Sequence, residues 1–372
     1  MGLVSFARGA PAPECLPVSE LADCARAAVE GDGTAVLSYG PGGGYGPLRE
    51  WIAKRHGVEQ SRVVVTSGSL QGFVFLVEQL VRPGARVLVE APTYDRPLKI
   101  LARAGAEVVP IAMDSEGLRP DALEQALAEG EQPAFLYTIA TFQNPSGRTL
   151  SEERRRRVVE IAREHDLLVL EDDPYGLVRF EGEPVPTLFE LEGGTKVIYA
   201  SSFSKTIGPG LRVGYFILPP ELAAQIEALA VSTYITPPFL AQATVHEFLT
   251  RGDFEPNLAR VNELLRARRD AMLEALDRDL AGSATWSRPE GGYFVWVDLA
   301  AGPDVSDVLP RAEQAGVPFV QGPDFFVGGD GGHHSVRLAF SFVSPQQIAD
   351  GIARLAPLLT GSPTREPSPA SA

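Results

Sequence analysis

The sequence has 372 residues, a formal net charge of −15, and 44% apolar and 22% charged residues. This length suits one large domain plus a smaller one, and the composition is that of a globular enzyme, not a fibrous or disordered chain. Such acidity argues against a nucleic-acid surface, and a small anionic ligand would need local positive charge.

In chain order, the start Met1-Gly2-Leu3-Val4-Ser5-Phe6 lacks the basic region and long apolar core of a signal peptide. Cys15 and Cys24 form no disulfide framework, which suits a reducing compartment, and no apolar run is long enough to span a bilayer. A cytoplasmic protein is expected. Gly42-Gly43-Gly44-Tyr45-Gly46 has neither a GxGxxG register nor a following Lys-Ser/Thr, so it is no nucleotide loop. It reads as a flexible segment near a site entrance.

Short β-branched runs then alternate with amphipathic segments, the pattern of a mainly parallel α/β sheet. Predicted strands are Val63–Val65, Arg86–Val89, Glu107–Ile111, Ala134–Thr138, Leu167–Leu170, Val197–Ala200 and Arg212–Leu218. Helices are predicted at Leu48–His56, between Pro47 and Gly57, and from about Ser151 to His165, with Glu152 and Glu153 at the positive end of the helix dipole. After about residue 245 come a helix over Asn257–Leu276 and alternating strands at Gly291–Val297 and Ser335–Phe340. The expected division is an N-terminal segment 1–44, a large domain 45–249, a small α+β domain 250–359 and a disordered tail 360–372. The N-terminal segment is expected to complete the small domain.

Four segments fall at predicted strand ends, where ligands bind in open α/β sheets. Thr66-Ser67-Gly68-Ser69-Leu70-Gln71 is a strand-to-helix turn whose free N–H groups suit a phosphate. Thr141-Phe142-Gln143-Asn144-Pro145-Ser146-Gly147 is either a plain loop or a source of the Asn144 amide for a ring oxygen. Glu171-Asp172-Asp173-Pro174-Tyr175 is either a solvated or metal-binding loop, or it offers Asp172 to a protonated pyridine nitrogen and Tyr175 to a phenolate oxygen. Ser201-Ser202-Phe203-Ser204-Lys205-Thr206-Ile207-Gly208-Pro209-Gly210-Leu211-Arg212 supplies an amine for an aldehyde, with hydroxyls and a guanidinium for a phosphate dianion. Pyridoxal 5'-phosphate (PLP) has both of those ends. The five histidines show no metal-ligand spacing, so no metal is expected.

Together these segments, with Ser5-Phe6-Ala7-Arg8-Gly9-Ala10-Pro11-Ala12-Pro13-Glu14, make the sequence resemble the fold-type I PLP-dependent class I/II aminotransferases, most of all their 2-aminoadipate/kynurenine branch. The resemblance covers Ser5 to about Leu359. It implies a large domain with a mostly parallel seven-stranded sheet between helices, plus a small α+β domain. It also implies ping-pong transfer of an amino group from an L-amino acid to a 2-oxo acid, through an internal aldimine on Lys205, the catalytic residue.

The residues implied to hold the cofactor are Gly68, Ser69, Leu70, Tyr94 as the stacking ring, Asn144, Asp172, Tyr175, Ser202, Ser204, Lys205 and Arg212. Tyr39 is implied to reach the phosphate of a partner subunit, hence a homodimer with shared sites. Arg337, Asn144, Gly9 and Tyr39 are implied to meet the substrate, Arg337 gripping its α-carboxylate. Phe6, Arg8, Tyr39, Tyr234 and Thr236 are candidates for specificity. Relatives in this branch carry a helical extension before the Ser5-Phe6 region, and many have glycine where Arg8 stands.

Two other readings compete. A PLP-dependent lyase or cyclase would use the same carbanion. The effector domain of an aminotransferase-like transcription regulator would need a DNA-binding module ahead of Ser5 and fits the acidic charge poorly. The partners expected are small amino and 2-oxo acids, with no nucleic acid and no membrane.

Overall fold

The computed structural model describes residues 2–361. Eight strands, β1 (Val63–Thr66), β2 (Arg86–Ala91), β3 (Glu107–Asp114), β4 (Gly117–Leu118), β5 (Phe135–Thr138), β6 (Val169–Asp172), β7 (Val197–Ser202) and β8 (Gly214–Ile217), form one sheet. Their order is β1-β8-β7-β6-β5-β2-β3-β4. The β3-β2-β5-β6-β7 run is parallel throughout, whereas β8 is antiparallel to both β7 and β1. The seven strands predicted from sequence are all present. The eighth, β4, hairpins onto β3 and is too short to carry a periodic signal.

Successive side chains of a strand point to opposite faces. Val63, Val65, Leu136, Val169 and Val197 thus join one apolar layer, and Val64, Tyr137, Leu170, Ile198 and Phe216 join the other. Strands covered on both sides must be apolar throughout, as β1, β5 and β6 largely are. A second sheet, β9 (Ala284–Trp286), β10 (Phe294–Leu299), β11 (Val320–Gln321) and β12 (Ser335–Ala339), is antiparallel in the order β11-β12-β10-β9. It shares an apolar cluster with the long helix Phe254–Asp279 and the last helix, Pro345–Thr360.

The chain's start is bound to this second sheet. Phe6 N–H donates to Pro318 O and Ala339 N–H to Phe6 O, both at 2.8 Å. Phe6 is fully buried in that cluster, so it is a core residue and not the pocket residue considered from sequence. Thr360 ends the last helix and Gly361 caps it, so these two residues are not the disordered tail expected from 360; the rest of that segment, residues 362–372, lies outside the described residues.

Gly42-Gly43-Gly44 departs from the flexible segment expected. It is buried, and Val65 N–H donates to Gly43 O at 2.8 Å, so it is packed against β1. Gly44 has φ +112°, and a Cβ there would lie 2.7 Å from Val65 Cβ. Glycine is therefore required here for close approach, not for mobility. Gly44→Ala combines a disfavoured backbone with overpacking and should cost about 1–3 kcal/mol in urea unfolding; an unchanged midpoint would refute the packing role.

Candidate active site

The C-terminal ends of β1, β2, β5, β6 and β7 open on one edge of the large sheet, and β8 starts there. Register fixes who meets whom. Thr66 and Ser202 both pair with Gly214, which brings the Gly68-Ser69 turn, the Ser204-Lys205 turn and Arg212 together. A cleft at this edge is lined by Ser69, Leu70, Tyr94, Asn144, Asp172, Tyr175, Ser202, Ser204, Lys205 and Arg212, among others.

At one end of the cleft, Gly68 (φ +79°) caps the helix Ser69–Leu80 with no side-chain hydrogen bond, leaving the first N–H groups for a ligand. Arg212 adopts the left-handed region (φ +53°) and lays its guanidinium over the turn, donating from Nη2 to Ser67 O at 3.2 Å. A Cβ at Gly68 would lie 2.2 Å from Arg212 Nη2, so only glycine admits this approach. The Ser202 and Ser204 hydroxyls stand 2.8 Å apart on the adjoining turn. Helix N–H groups, hydroxyls and a guanidinium together form a site for a phosphate dianion.

At the other end stand three consecutive carboxylates with three different fates. Strand alternation sends Glu171 and Asp173 to one face and Asp172 to the other. Glu171 accepts the N–H groups of Leu188 and Phe189 at 3.0 and 2.9 Å, and lies 3.8 Å from buried Arg155. Asp173 accepts from the Tyr199 hydroxyl at 2.9 Å and Gly176 N–H at 2.8 Å. Asp172 Oδ2 accepts from the Tyr137 hydroxyl at 2.8 Å, but its Oδ1 is buried with no hydrogen-bond partner. Burial pushes its carboxyl up to about 7, with Tyr137 and Lys205 working the other way and Asp173 adding to the rise. A buried, unpaired carboxylate oxygen is costly, and a ligand N–H would satisfy it.

Between these ends lies Lys205. Its Nζ donates to Gly9 O at 2.9 Å. Burial, then Arg337 and Arg212, pulls its amine down to about 8, while Asp172 opposes the shift. Tyr94, at the start of the helix Asp95–Arg103, and buried Tyr175 line the cleft walls.

Arg337 comes from β12 of the second sheet. Its Nη1 donates to Asn144 Oδ1 and its Nη2 to Ala7 O, both at 3.0 Å, and its Nε is buried without an acceptor. Phe294 and Phe325 rings lie 4.2 and 5.0 Å from its guanidinium carbon. Arg337 thus keeps one buried N–H without an acceptor, which a carboxylate would satisfy.

Every residue expected from sequence to meet cofactor or substrate converges on this edge except Tyr39, which is 83% exposed in the single chain. Arg8 is exposed and stacks on Phe342, at 4.1 Å. Thr236 is tied to Gly40, and Tyr234 packs on Phe75.

Sequence reasoning missed Tyr137, which reads only as a strand residue, and a buried network behind the site. There Gln143 Nε2 donates to Glu90 Oε2 at 3.0 Å and Pro92 O at 2.8 Å, tying the loop of Asn144 to that of Tyr94. The Phe142-Gln143-Asn144 run was the one local signal, but the partner lies 53 residues away.

A family model described as Aminotransferase class I and II matches residues 13–355. Aromatic-amino-acid aminotransferase 1 of Thermococcus litoralis is 35% identical over 95% of this chain and 87% of its own length. The crystal structure of an alpha-aminoadipate aminotransferase from Thermus thermophilus, complexed with N-(5'-phosphopyridoxyl)-L-leucine, superposes with a TM-score of 0.91 at 37% identity, over 97% of this chain and 92% of that one. A Pyrococcus horikoshii kynurenine aminotransferase bound to PMP gives a TM-score of 0.92 at 34% identity, over 96% and 91%.

Because the folded Asp172 carboxyl titrates near 7 and the unfolded one near the usual 3.8, its protonated form favours folding. That contribution is complete below about pH 4 and is lost as pH rises through 7. Cofactor-free Asp172→Asn should therefore lose less melting temperature than wild type between pH 5 and pH 8. Parallel profiles would contradict this placement of the carboxyl.

Proposed function

As a member of the class I and II aminotransferases, this chain is a PLP-dependent transaminase, and we propose that Lys205 carries its proton transfers while Asp172, Arg212 and Arg337 hold the reacting groups. The observation that carries the assignment is the buried, unpartnered Asp172 Oδ1 on the cleft that also holds Lys205.

The residues fit the cofactor at each end. Gly68, Ser69, Leu70, Ser202, Ser204 and Arg212 would hold the phosphate, Tyr94 would stack on the ring, Asn144 and Tyr175 would share its oxygen, and Asp172 would meet its nitrogen. Bound PLP supplies an aldehyde and an electron-withdrawing ring that spreads negative charge from a substrate carbon. Asp172 would strengthen that withdrawal by holding a proton on the ring nitrogen. Lys205, with an amine near 8, is partly unprotonated at neutral pH and so can take the substrate's α-proton, hold it and return it within the site. Arg337 orients the α-carboxylate through its free N–H, and Gly9 supports the same end of the substrate. Walls of Phe294, Phe325 and Tyr175 exclude water, which strengthens each charge interaction.

The active form proposed is a cytoplasmic homodimer. Hydrogen bonds between Gly40 and Thr236 join the 37–40 turn to the 231–240 segment. Leu37, Tyr39, Val231, Ile235 and Leu240 are all exposed there. A second copy covering this surface would bring Tyr39 to the partner's phosphate end. Among the described residues, no helix is long and apolar enough to cross a membrane. The substrates proposed are an L-amino acid and a 2-oxo acid, with aromatic, α-aminoadipate and kynurenine donors to be tried first, following the names of the relatives.

Lys205→Ala should abolish turnover and the cofactor's visible absorbance linked to the lysine; retention of both would reject the assignment. Arg337→Lys loses a planar fork on a charged group, worth about 1.5–3 kcal/mol. It should raise KM for the amino donor roughly ten- to a hundredfold with a smaller change in kcat, and unchanged kinetics would exclude the carboxylate role.

A further inference from the structure

One buried residue touches Lys205 twice and has no part in the mechanism so far. Tyr293 sits just before β10, is fully buried, and has its backbone held by Phe340 N–H at 3.1 Å. Its hydroxyl donates to the backbone carbonyl of Lys205 at 3.1 Å. Its ring centroid lies 5.0 Å from Lys205 Nζ, and the Tyr175 centroid lies 5.5 Å from the same atom. The two rings are 5.5 Å apart and tilted by 57°, so they form two walls of a cup around the amine.

The local sequence explains how a residue of the second sheet reaches the first. Gly291 and Gly292 precede Tyr293, and a Cβ at Gly291 would lie 2.2 Å from the Phe142 ring and 2.4 Å from Val178 O. Gly292 has φ +73° and donates to Val178 O at 2.8 Å. The chain can thus run flat against the large sheet's loops before Tyr293 turns inward.

We propose that Tyr293 is a positioning residue for the transamination, its hydroxyl fixing the Lys205 turn and its ring stabilising the lysine in its proton-carrying form. A cation within about 6 Å of an aromatic face is attracted to it, by more when water is excluded. The attraction acts on the ammonium and not on the free amine, so it favours the state Lys205 reaches after taking a proton. The other charged groups facing Nζ are Arg337 from β12, Arg212 ahead of β8 and Asp172 of β6. The two arginines oppose protonation and Asp172 favours it, so the rings act on the same side as Asp172. The hydroxyl acts separately: a buried O–H needs an acceptor, and here the acceptor belongs to the residue that must move a proton.

The proposal rests on the role given to Lys205, but one arm of its test needs neither cofactor nor turnover. In cofactor-free protein, acetylation of Lys205 by acetic anhydride is followed by peptide mass spectrometry across pH. Tyr293→Leu removes ring and hydroxyl and should lower the labelling pKa by about half to one unit. Tyr293→Phe keeps the ring and should leave that pKa unchanged. In the loaded enzyme, Tyr293→Phe should lower kcat roughly two- to tenfold, enlarge the isotope effect of an α-deuterated donor and leave KM unchanged. A wild-type labelling pKa in Tyr293→Leu, or wild-type kcat and isotope effect in Tyr293→Phe, would overturn the proposal. Should the leucine variant fail to fold, the phenylalanine arm decides alone.

Discussion

The site depends on one constraint: at the end of β6 the sheet holds a carboxylate oxygen, Asp172 Oδ1, out of water with nothing to bond. Folding tolerates that cost because the flanking carboxylates are satisfied by the fold itself, Glu171 at a helix start and Asp173 by Tyr199. Three similar residues in a row thus divide into two bonded within the fold and one left with an unbonded oxygen. Alternation along a strand makes the division, so the chemistry follows from the sheet's geometry.

Around that oxygen the protein, acidic overall, gathers positive charge. Lys205 and Arg212 line one cleft, and Arg337, from the second sheet, bonds Asn144 on its wall. Burial keeps the charges of Lys205 and Arg337 effective, since less water screens them, and it also makes the lysine a weaker base. The same desolvation would therefore serve both the carboxylate binding and the proton transfer proposed for Arg337 and Lys205.

Several hydrogen bonds tie the surroundings of the two sheets together at the site. Arg337 bonds Ala7 O, Lys205 bonds Gly9 O, Tyr293 bonds the Lys205 carbonyl, and Thr93 N–H donates to Phe325 O at 2.9 Å. Residues 7–9 form a strip of backbone shared between the sheets, Ala7 O accepting from Arg337 and Gly9 O from Lys205. A shift of one sheet against the other would change the carboxylate site and the lysine together.

Much of this was legible in the sequence because its signals are local. Gly68-Ser69, Asn144-Pro145 and Ser204-Lys205 are turn chemistry next to apolar runs, and all seven predicted strands are present. What escaped depends on contacts distant in sequence. Gly42-Gly43-Gly44 reads as flexible until Val65 and Val231 are seen packed against it. Phe6 reads as a pocket residue until the second sheet closes over it. Tyr137, Gln143 and Tyr293 look like ordinary strand or loop residues because their partners, Asp172, Glu90 and Lys205, lie 35 to 88 residues away.

The most direct test is where the cofactor attaches. Borohydride makes a reversible carbon–nitrogen link permanent, so reduction of the PLP-saturated protein followed by peptide mapping reports the residue involved. The account predicts a single phosphopyridoxyl tag on Lys205. A tag on another lysine, or none in protein saturated with PLP, would contradict it.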